Sequence, residues 1–237
     1  MADGDIKFFR YDKDKTRIFY DRFYIGRDFV RFPWAEEFFI RALLKKTGLP
    51  AQARFLDLGC GTGKYSCLLK QYNMDVLGLD LSQRGIRIAR DRYPGIKFIV
   101  GDVLNLPMPP ASFDAVLCSG LSLFNEPALA VLRPFVDNVL TCLKSRGWFV
   151  FVKTTALTDR LSRNASRMDY ALATYKEFFD SFQMLEVISA AAVYPHLFIP
   201  FGQRAFENPM LTSLSSTMAR VSRIPVRVYF LMRKGTP

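Results

Sequence analysis

The chain has 237 residues and a mass of 27.1 kDa; half its residues are hydrophobic and 22 are Phe, so one α/β domain with additions can bury a sizeable core. That composition excludes a disordered chain, a collagen-like repeat and a disulfide-held miniprotein. The net charge of +11 divides as +3 over residues 1–50, +3 over 51–200 and +5 over 201–237, without the dense Lys/Arg run of a nucleic-acid arm, so a basic surface kept for solubility is the favoured explanation.

Residues 1–32 alternate aromatic and charged side chains without a clean period. From Pro33 to Lys46 the spacing of Trp34, Phe38, Ala42 and Leu43 predicts an amphipathic helix ended by Gly48 and Pro50. Residues 1–50 thus read as an N-terminal helical extension, or lid, and 51–237 as the main domain. Arg54–Leu58 reads as a short apolar strand running into a glycine turn and a helix over Lys64–Tyr72. Asp75–Asp80 is a predicted strand, and Gln83–Tyr93 a helix opened by Ser82 as N-cap. Lys97–Val100 and Phe113–Ser119 follow as strands, Pro127–Leu143 as a helix and Gly147–Thr154 as a strand. Strands alternating with helices of about ten residues mean βαβ units and a parallel sheet covered on both faces. Thr174–Phe182 then predicts a helix, Gln183–Val193 a strand, Leu211–Arg223 a helix and Pro225–Arg233 a last strand. Pro195, Pro200 and Pro209 punctuate a substrate-covering insert around 194–224.

The strongest signal is the stretch FLDLGCGTGK from Phe55 to Lys64. A buried strand delivers Asp57, three glycines follow at alternate positions, and a helix begins with its free N–H groups facing the turn. A P-loop would need Ser or Thr after Gly63-Lys64, where Tyr65 stands, and a glycine where Leu58 stands. The dinucleotide fingerprint would need a third glycine where Lys64 stands. Neither fits.

The G-x-G-x-G loop after an acidic residue resembles motif I of the class I S-adenosylmethionine-dependent methyltransferases, small-molecule type. Three further elements carry the resemblance. Asp80 closes the second strand in VLGLDLS, 23 residues after Asp57; Asp102 closes the third in KFIVGDVLNLP, 22 residues later; FDAVLCSGLSLF resembles motif IV. The resemblance covers residues 50–153 closely. It implies a Rossmann-like doubly wound α/β sheet of seven strands, mostly parallel with the last antiparallel, and S-adenosyl-L-methionine as cofactor.

Carried over by position, Asp57, Gly59, Cys60, Gly61 and Gly63 would hold the cofactor's methionine portion and Asp80 its ribose hydroxyls, with Leu81 packing on adenine. Asp102 and Val103 would flank the adenine edge, and Ser119 would offer its backbone carbonyl to the methionine amino group. From the extension, Tyr11, Tyr20 or Tyr24 could reach the cofactor and Arg27 its carboxylate, although packing or surface is the favoured reading for these four. Phe124 and Asn125 follow motif IV and point toward the substrate, with packing weighing equally. His196 is the one side chain of the chain that titrates near neutrality unperturbed, which makes it the candidate catalytic base against an incidental loop histidine.

The resemblance also narrows the acceptor. The motif-IV position reads Cys118-Ser-Gly-Leu, not the [DNS]-P-P-[YF] of base and glutamine N-methylating enzymes, and no cysteine follows proline as cytosine C5 chemistry requires. Metal carboxylates and the Lys-Asp-Lys-Glu tetrad of ribose methyltransferases are also missing from the expected places. An O-, N- or C-methylated small molecule remains the first expectation, with RNA or protein methylation and a non-catalytic cofactor-binding scaffold as alternatives. Four cysteines without a CxxC pair, together with one histidine, make no zinc set, so no metal is expected. A polar N-terminus and an apolar stretch at 187–201 interrupted by Pro195, His196 and Pro200 lead to the expectation of a cytoplasmic protein with no membrane span.

Overall fold

In the computed structural model of the chain, residues 11–25, 33–156, 158–161, 168–193 and 226–236 are described. Two helices, α1 (Lys13–Phe23) and α2 (Pro33–Thr47), precede the sheet. Then β1 (Arg54–Leu58), α3 (Lys64–Gln71), β2 (Asp75–Asp80), α4 (Gln83–Arg92), β3 (Lys97–Val100) and β4 (Phe113–Ser119) alternate. Helix α5 (Arg133–Cys142), β5 (Leu143–Thr155), α6 (Leu172–Asp180), β6 (Leu185–Val193) and β7 (Val226–Lys234) complete the fold. The seven strands lie in the order β3-β2-β1-β4-β5-β7-β6. Strands β1 to β5 pair in parallel, and β7 runs antiparallel to both β5 and β6. The expected doubly wound sheet is therefore present, with the reversed strand one place in from the edge.

Alternation along the strands divides the core in two. Phe149, Phe151, Phe230 and Met232 face α5 and α6, where Phe135, Val139, Tyr175 and Phe179 meet them. Phe55, Val76, Leu117, Val150 and Val152 face the opposite way, onto Ile40 of α2, Leu69 of α3 and Ile86 and Ala89 of α4. Each central strand is apolar on both sides because helices cover both faces.

One local expectation needs correction, and two elements add to the sequence reading. The helix predicted over Pro127–Leu143 is a short 3-10 turn, Leu129–Leu132, followed by α5; a further 3-10 turn, Ser122–Asn125, precedes the segment. Pro134 sits in the first turn of α5, where its missing N–H costs nothing, so the α-helix begins at Arg133 and not at Pro127. Residues 13–23, which show no clean period, are helical: Asp12 caps α1 by accepting from the Lys15 N–H at 2.9 Å, and aromatic side chains lie on both its faces. A two-residue ribbon, Arg160–Leu161 with Met168–Asp169, has no sequence signal. The insert around 194–224 and the predicted helix Leu211–Arg223 lie outside the described residues. No helix among the described residues is long and apolar enough to cross a membrane.

Candidate functional site

Strands β1 to β5 end at one edge of the sheet, where the order reverses between β1 and β4; open α/β sheets bind ligands at such a reversal. There β1 delivers Asp57, and the chain turns through Gly59, Gly61 and Gly63, all at positive φ. The last two are glycine for different reasons. A Cβ at Gly63 would lie 2.8 Å from Phe98 and 3.2 Å from the Ala89 methyl group, so this residue lets α3 and α4 close on the sheet. A Cβ at Gly61 would lie 2.6 Å from the Tyr24 hydroxyl oxygen, so this residue lets the end of α1 close on the loop.

Hydrogen bonds lock the loop to β2. The Gly59 and Cys60 N–H groups donate to the Leu79 carbonyl at 2.8 and 3.1 Å. Gly61 N–H donates to one oxygen of Asp80 at 2.8 Å and Ser82 N–H to the other at 2.8 Å. Burial raises the Asp80 carboxyl above its ordinary range, against the pull of these two N–H groups. Asp57 is 1% exposed and accepts from the Ser66 hydroxyl at 2.6 Å. Burial pushes its carboxyl up to about 7; the Ser66 hydrogen bond opposes the rise and the charge of Asp80 adds to it. Two buried acids sharing one cleft favour a ligand with positive charge. Burial also drives the Cys60 thiol well up, so its sulfur is not a nucleophile and its contribution is backbone.

Asp102 follows β3. Its Oδ1 accepts from Leu104 N–H at 3.0 Å and from the Tyr11 hydroxyl at 2.8 Å, with the Lys13 ammonium 3.9 Å from Oδ2. Val103 is buried beside it and Leu81 is half-buried after β2. Helix α1 thus starts at Asp102 and reaches the glycine loop. On the way, Asp21 accepts from the Ser82 hydroxyl at 2.6 Å and from Arg84 N–H at 3.1 Å. Of the tyrosines considered, Tyr11 and Tyr24 meet site residues, while the Tyr20 ring packs against Tyr24 at 6.0 Å between centroids.

On the other side of the cleft, Ser119 ends β4 opposite Val152, and its side chain is hydrogen-bonded to Tyr65. Asn125 accepts from the Lys153 ammonium at 2.7 Å, and the same ammonium donates to the Leu121 carbonyl at 2.9 Å. Phe124, expected to face substrate with even weight, is fully buried: its ring packs among Phe135, Phe151, Tyr175 and Phe179. It supports the loop from below. His196 and Arg27 lie outside the described residues.

Sequence reasoning missed four participants. Lys153 is 5% exposed and directly follows the apolar run Trp148–Val152, and a lysine inside a central strand was the available signal. Glu126, also buried, accepts from the Tyr11 N–H, and its carbonyl accepts from the Tyr170 hydroxyl at 2.7 Å. Glu36, on α2, is 2.7 Å from the Lys64 ammonium and 3.6 Å from the Arg227 guanidinium. Thr16 is the fourth, and nothing in the sequence marked it.

The residues present fit S-adenosylmethionine. Glu36 Oε2 and Thr16 Oγ1 are buried without a hydrogen-bond partner in the described structure, and both belong to helices that border the cleft. An orphaned buried polar atom costs about 1–3 kcal/mol, which a polar ligand relieves. The positive charge of a sulfonium and an ammonium suits the two raised carboxyl groups. Among the described residues no cluster of three His, Cys, Asp or Glu side chains could hold a metal ion.

Comparison with known proteins agrees. The family model for a methyltransferase domain matches residues 55–147. The demethylmenaquinone methyltransferase of Renibacterium salmoninarum is 38% identical over 92 residues, covering 38% of this chain and 39% of that enzyme. The one of Beutenbergia cavernae is 30% identical over 168 residues, covering 64% of this chain and 70% of that enzyme. Among solved structures, the [4+2]-cyclase SpnF superimposes with a TM-score of 0.66 at 16% identity, covering 98% of this chain and 100% of that one, a likeness of fold. The sheet order, the loop chemistry and the long alignment converge: this chain belongs to the class I S-adenosylmethionine-dependent methyltransferase family.

Proposed function

We propose that this chain moves the methyl group of S-adenosylmethionine to an oxygen, nitrogen or carbon atom of a small-molecule acceptor in the cytoplasm. The observation that carries the reading is the 168-residue alignment to the Beutenbergia enzyme, whose name gives demethylmenaquinone, a small molecule, as its acceptor. The four free thiols are in keeping with a reducing compartment.

The bound cofactor supplies an electrophilic methyl group on a sulfonium. Asp80, held by Gly61 and Ser82 N–H groups, turns its remaining acceptor capacity to the ribose hydroxyls. Asp57 and the loop at Gly59, Cys60, Gly61 and Gly63 take the methionine portion, with the Ser119 carbonyl accepting from its amino group. Asp102, Val103 and Leu81 frame the adenine. Lys153 holds the Leu121–Asn125 segment beside the acceptor, and Asn125 contacts it. Helices α1 and α2 cover the cleft and exclude water, the insert around 194–224 covers the acceptor, and His196 is the candidate base. Alignment in such an enclosure can be worth about 7–11 kcal/mol, so no catalytic dyad is required.

A second reading, an RNA or protein acceptor, draws on the charge of +11. A scaffold that binds cofactor without transfer is the third, since the fold alone does not entail the chemistry. The test is incubation with methyl-labelled cofactor and a panel of quinols, phenols, amines, RNA and protein. Label in a small molecule supports the proposal. Label confined to RNA or protein, or none across the panel with cofactor bound, overturns it.

A further inference from the structure

Helix α1 has a second face, directed away from the cleft. Lys15, Ile18, Phe19 and Arg22 recur at i, i+3, i+4 and i+7, so they form one stripe opposite Thr16, Tyr20 and Tyr24. Ile18 is 44% exposed and Phe19 54%, and Ile25, just past the helix, is 55% exposed. Six large apolar side chains stand exposed among the described residues, and three of them fall in this stretch of eight. Single exposed apolar residues need no explanation, but a cluster does.

The flanking charge narrows the occupant. Lys13 and Lys15 are 60% and 85% exposed, and the chain as a whole carries +11. The acidic neighbours are balanced locally: Asp12 lies 3.3 Å from Lys15 and Asp14 lies 3.6 Å from Arg17. A helix with apolar side chains on one stripe and basic ones at its borders lies in a bilayer interface, its apolar groups at the acyl boundary and its cations at the phosphates.

We propose that α1 docks on the surface of an anionic phospholipid bilayer through Ile18, Phe19 and Ile25, with Lys15 and Arg22 meeting the phosphates. The same helix closes over the cleft through Tyr11, Asp21 and Tyr24 on its opposite face, so docking holds the cover of the site at the membrane surface, where an acceptor dissolved in the bilayer is at hand. That last consequence rests on the methyl-transfer reading; the docking itself does not.

The test is co-sedimentation of the full chain with vesicles of equimolar phosphatidylglycerol and phosphatidylcholine, and with phosphatidylcholine alone, at low and high salt. The wild type sediments with the anionic vesicles and is released by salt, while the I18S/F19S double variant loses about tenfold in partitioning. S-adenosylhomocysteine affinity, read in the same preparations, stays unchanged in the variant and reports that it is folded. A wild type left in the supernatant overturns the docking, as does a variant that sediments equally well. So does a dimer in ultracentrifugation that the double variant breaks, because a second copy then covers the stripe. Failure to bind S-adenosylhomocysteine counts against the proposed function, and failure to sediment counts against the docking.

Discussion

Tyr24 rests on Gly61, so close that a methyl group added to the glycine would lie 2.6 Å from the tyrosine hydroxyl oxygen. The contact joins the N-terminal helix to the loop at which the cofactor is proposed to bind. Gly61 is held at φ +55, where an L side chain is strained by about 1–2 kcal/mol. Gly61→Ala is therefore expected to lower stability by about that amount and to weaken S-adenosylhomocysteine binding by more than about tenfold, through strain and displacement of Tyr24 together. Thermal melts and calorimetry check both; unchanged affinity would contradict a ligand passing close to this residue.

Asp57 gives a pH dependence with a definite sign. Burial raises its carboxyl from 3.8 to about 7 in the folded chain, so the folded state holds a proton that the unfolded chain releases over that interval. This contribution to stability is fully present below the unfolded value and is lost as pH rises through about 7. Relative to Asp57→Asn, the cofactor-free protein should lose denaturant resistance between about pH 4 and about pH 7 and change little above that. A cationic ligand favours the carboxylate, so cofactor binding near pH 6 should release a proton, as read by calorimetry in buffers of different ionisation enthalpy. Proton uptake would contradict the assignment.

Asp80 accepts from Gly61 and Ser82 N–H groups and is proposed to accept from ribose as well. Hydrogen bonds to a charged group are worth about 1.5–3 kcal/mol, so Asp80→Ala should weaken cofactor binding by about tenfold to a hundredfold. Asp80→Asn, which keeps one acceptor, should fall between. Wild-type affinity in Asp80→Ala would remove the ribose role.

Lys153 spans from β5 to the Leu121 carbonyl and the Asn125 amide, a tie between strand and loop. Lys153→Met is expected to leave cofactor affinity within about threefold while lowering kcat by more than about tenfold, because the loop that meets the acceptor loses its anchor. Equal losses in both would mark Lys153 as a general stabiliser of the domain.

Phe124 separates support from recognition. Its ring is enclosed by four aromatic neighbours. Phe124→Ala should cost about 3–5 kcal/mol in chemical denaturation, whereas Phe124→Leu should keep most of the stability and the acceptor KM. A KM change in the leucine variant without loss of stability would return the residue to the acceptor site.

Legibility followed the range of the interactions. Strands β1 to β4 and the caps around Ser82 were readable to the residue, because apolar runs, glycines and an N-cap serine act over a few positions. Asp57, Asp80 and Asp102 stand out through the family resemblance and their spacing of 23 and 22 residues, which places them in or just after β1, β2 and β3. What escaped depends on distant partners. The Tyr11–Asp102 bond joins residues 91 apart, and the Glu36–Arg227 pair links α2 to the last strand. The extension reads as helical, but the bounds of α1 escaped because aromatic residues line both of its faces, one packed against the cleft and one exposed, which erases the amphipathic period.

Calorimetric titration of the full chain with S-adenosylmethionine and, separately, with NAD tests the central claim most directly. Saturable binding of S-adenosylmethionine, abolished or weakened in Asp80→Ala, with no response to NAD, is the predicted result. Binding of NAD in its place, or no S-adenosylmethionine binding by protein shown to be folded by circular dichroism, would contradict it.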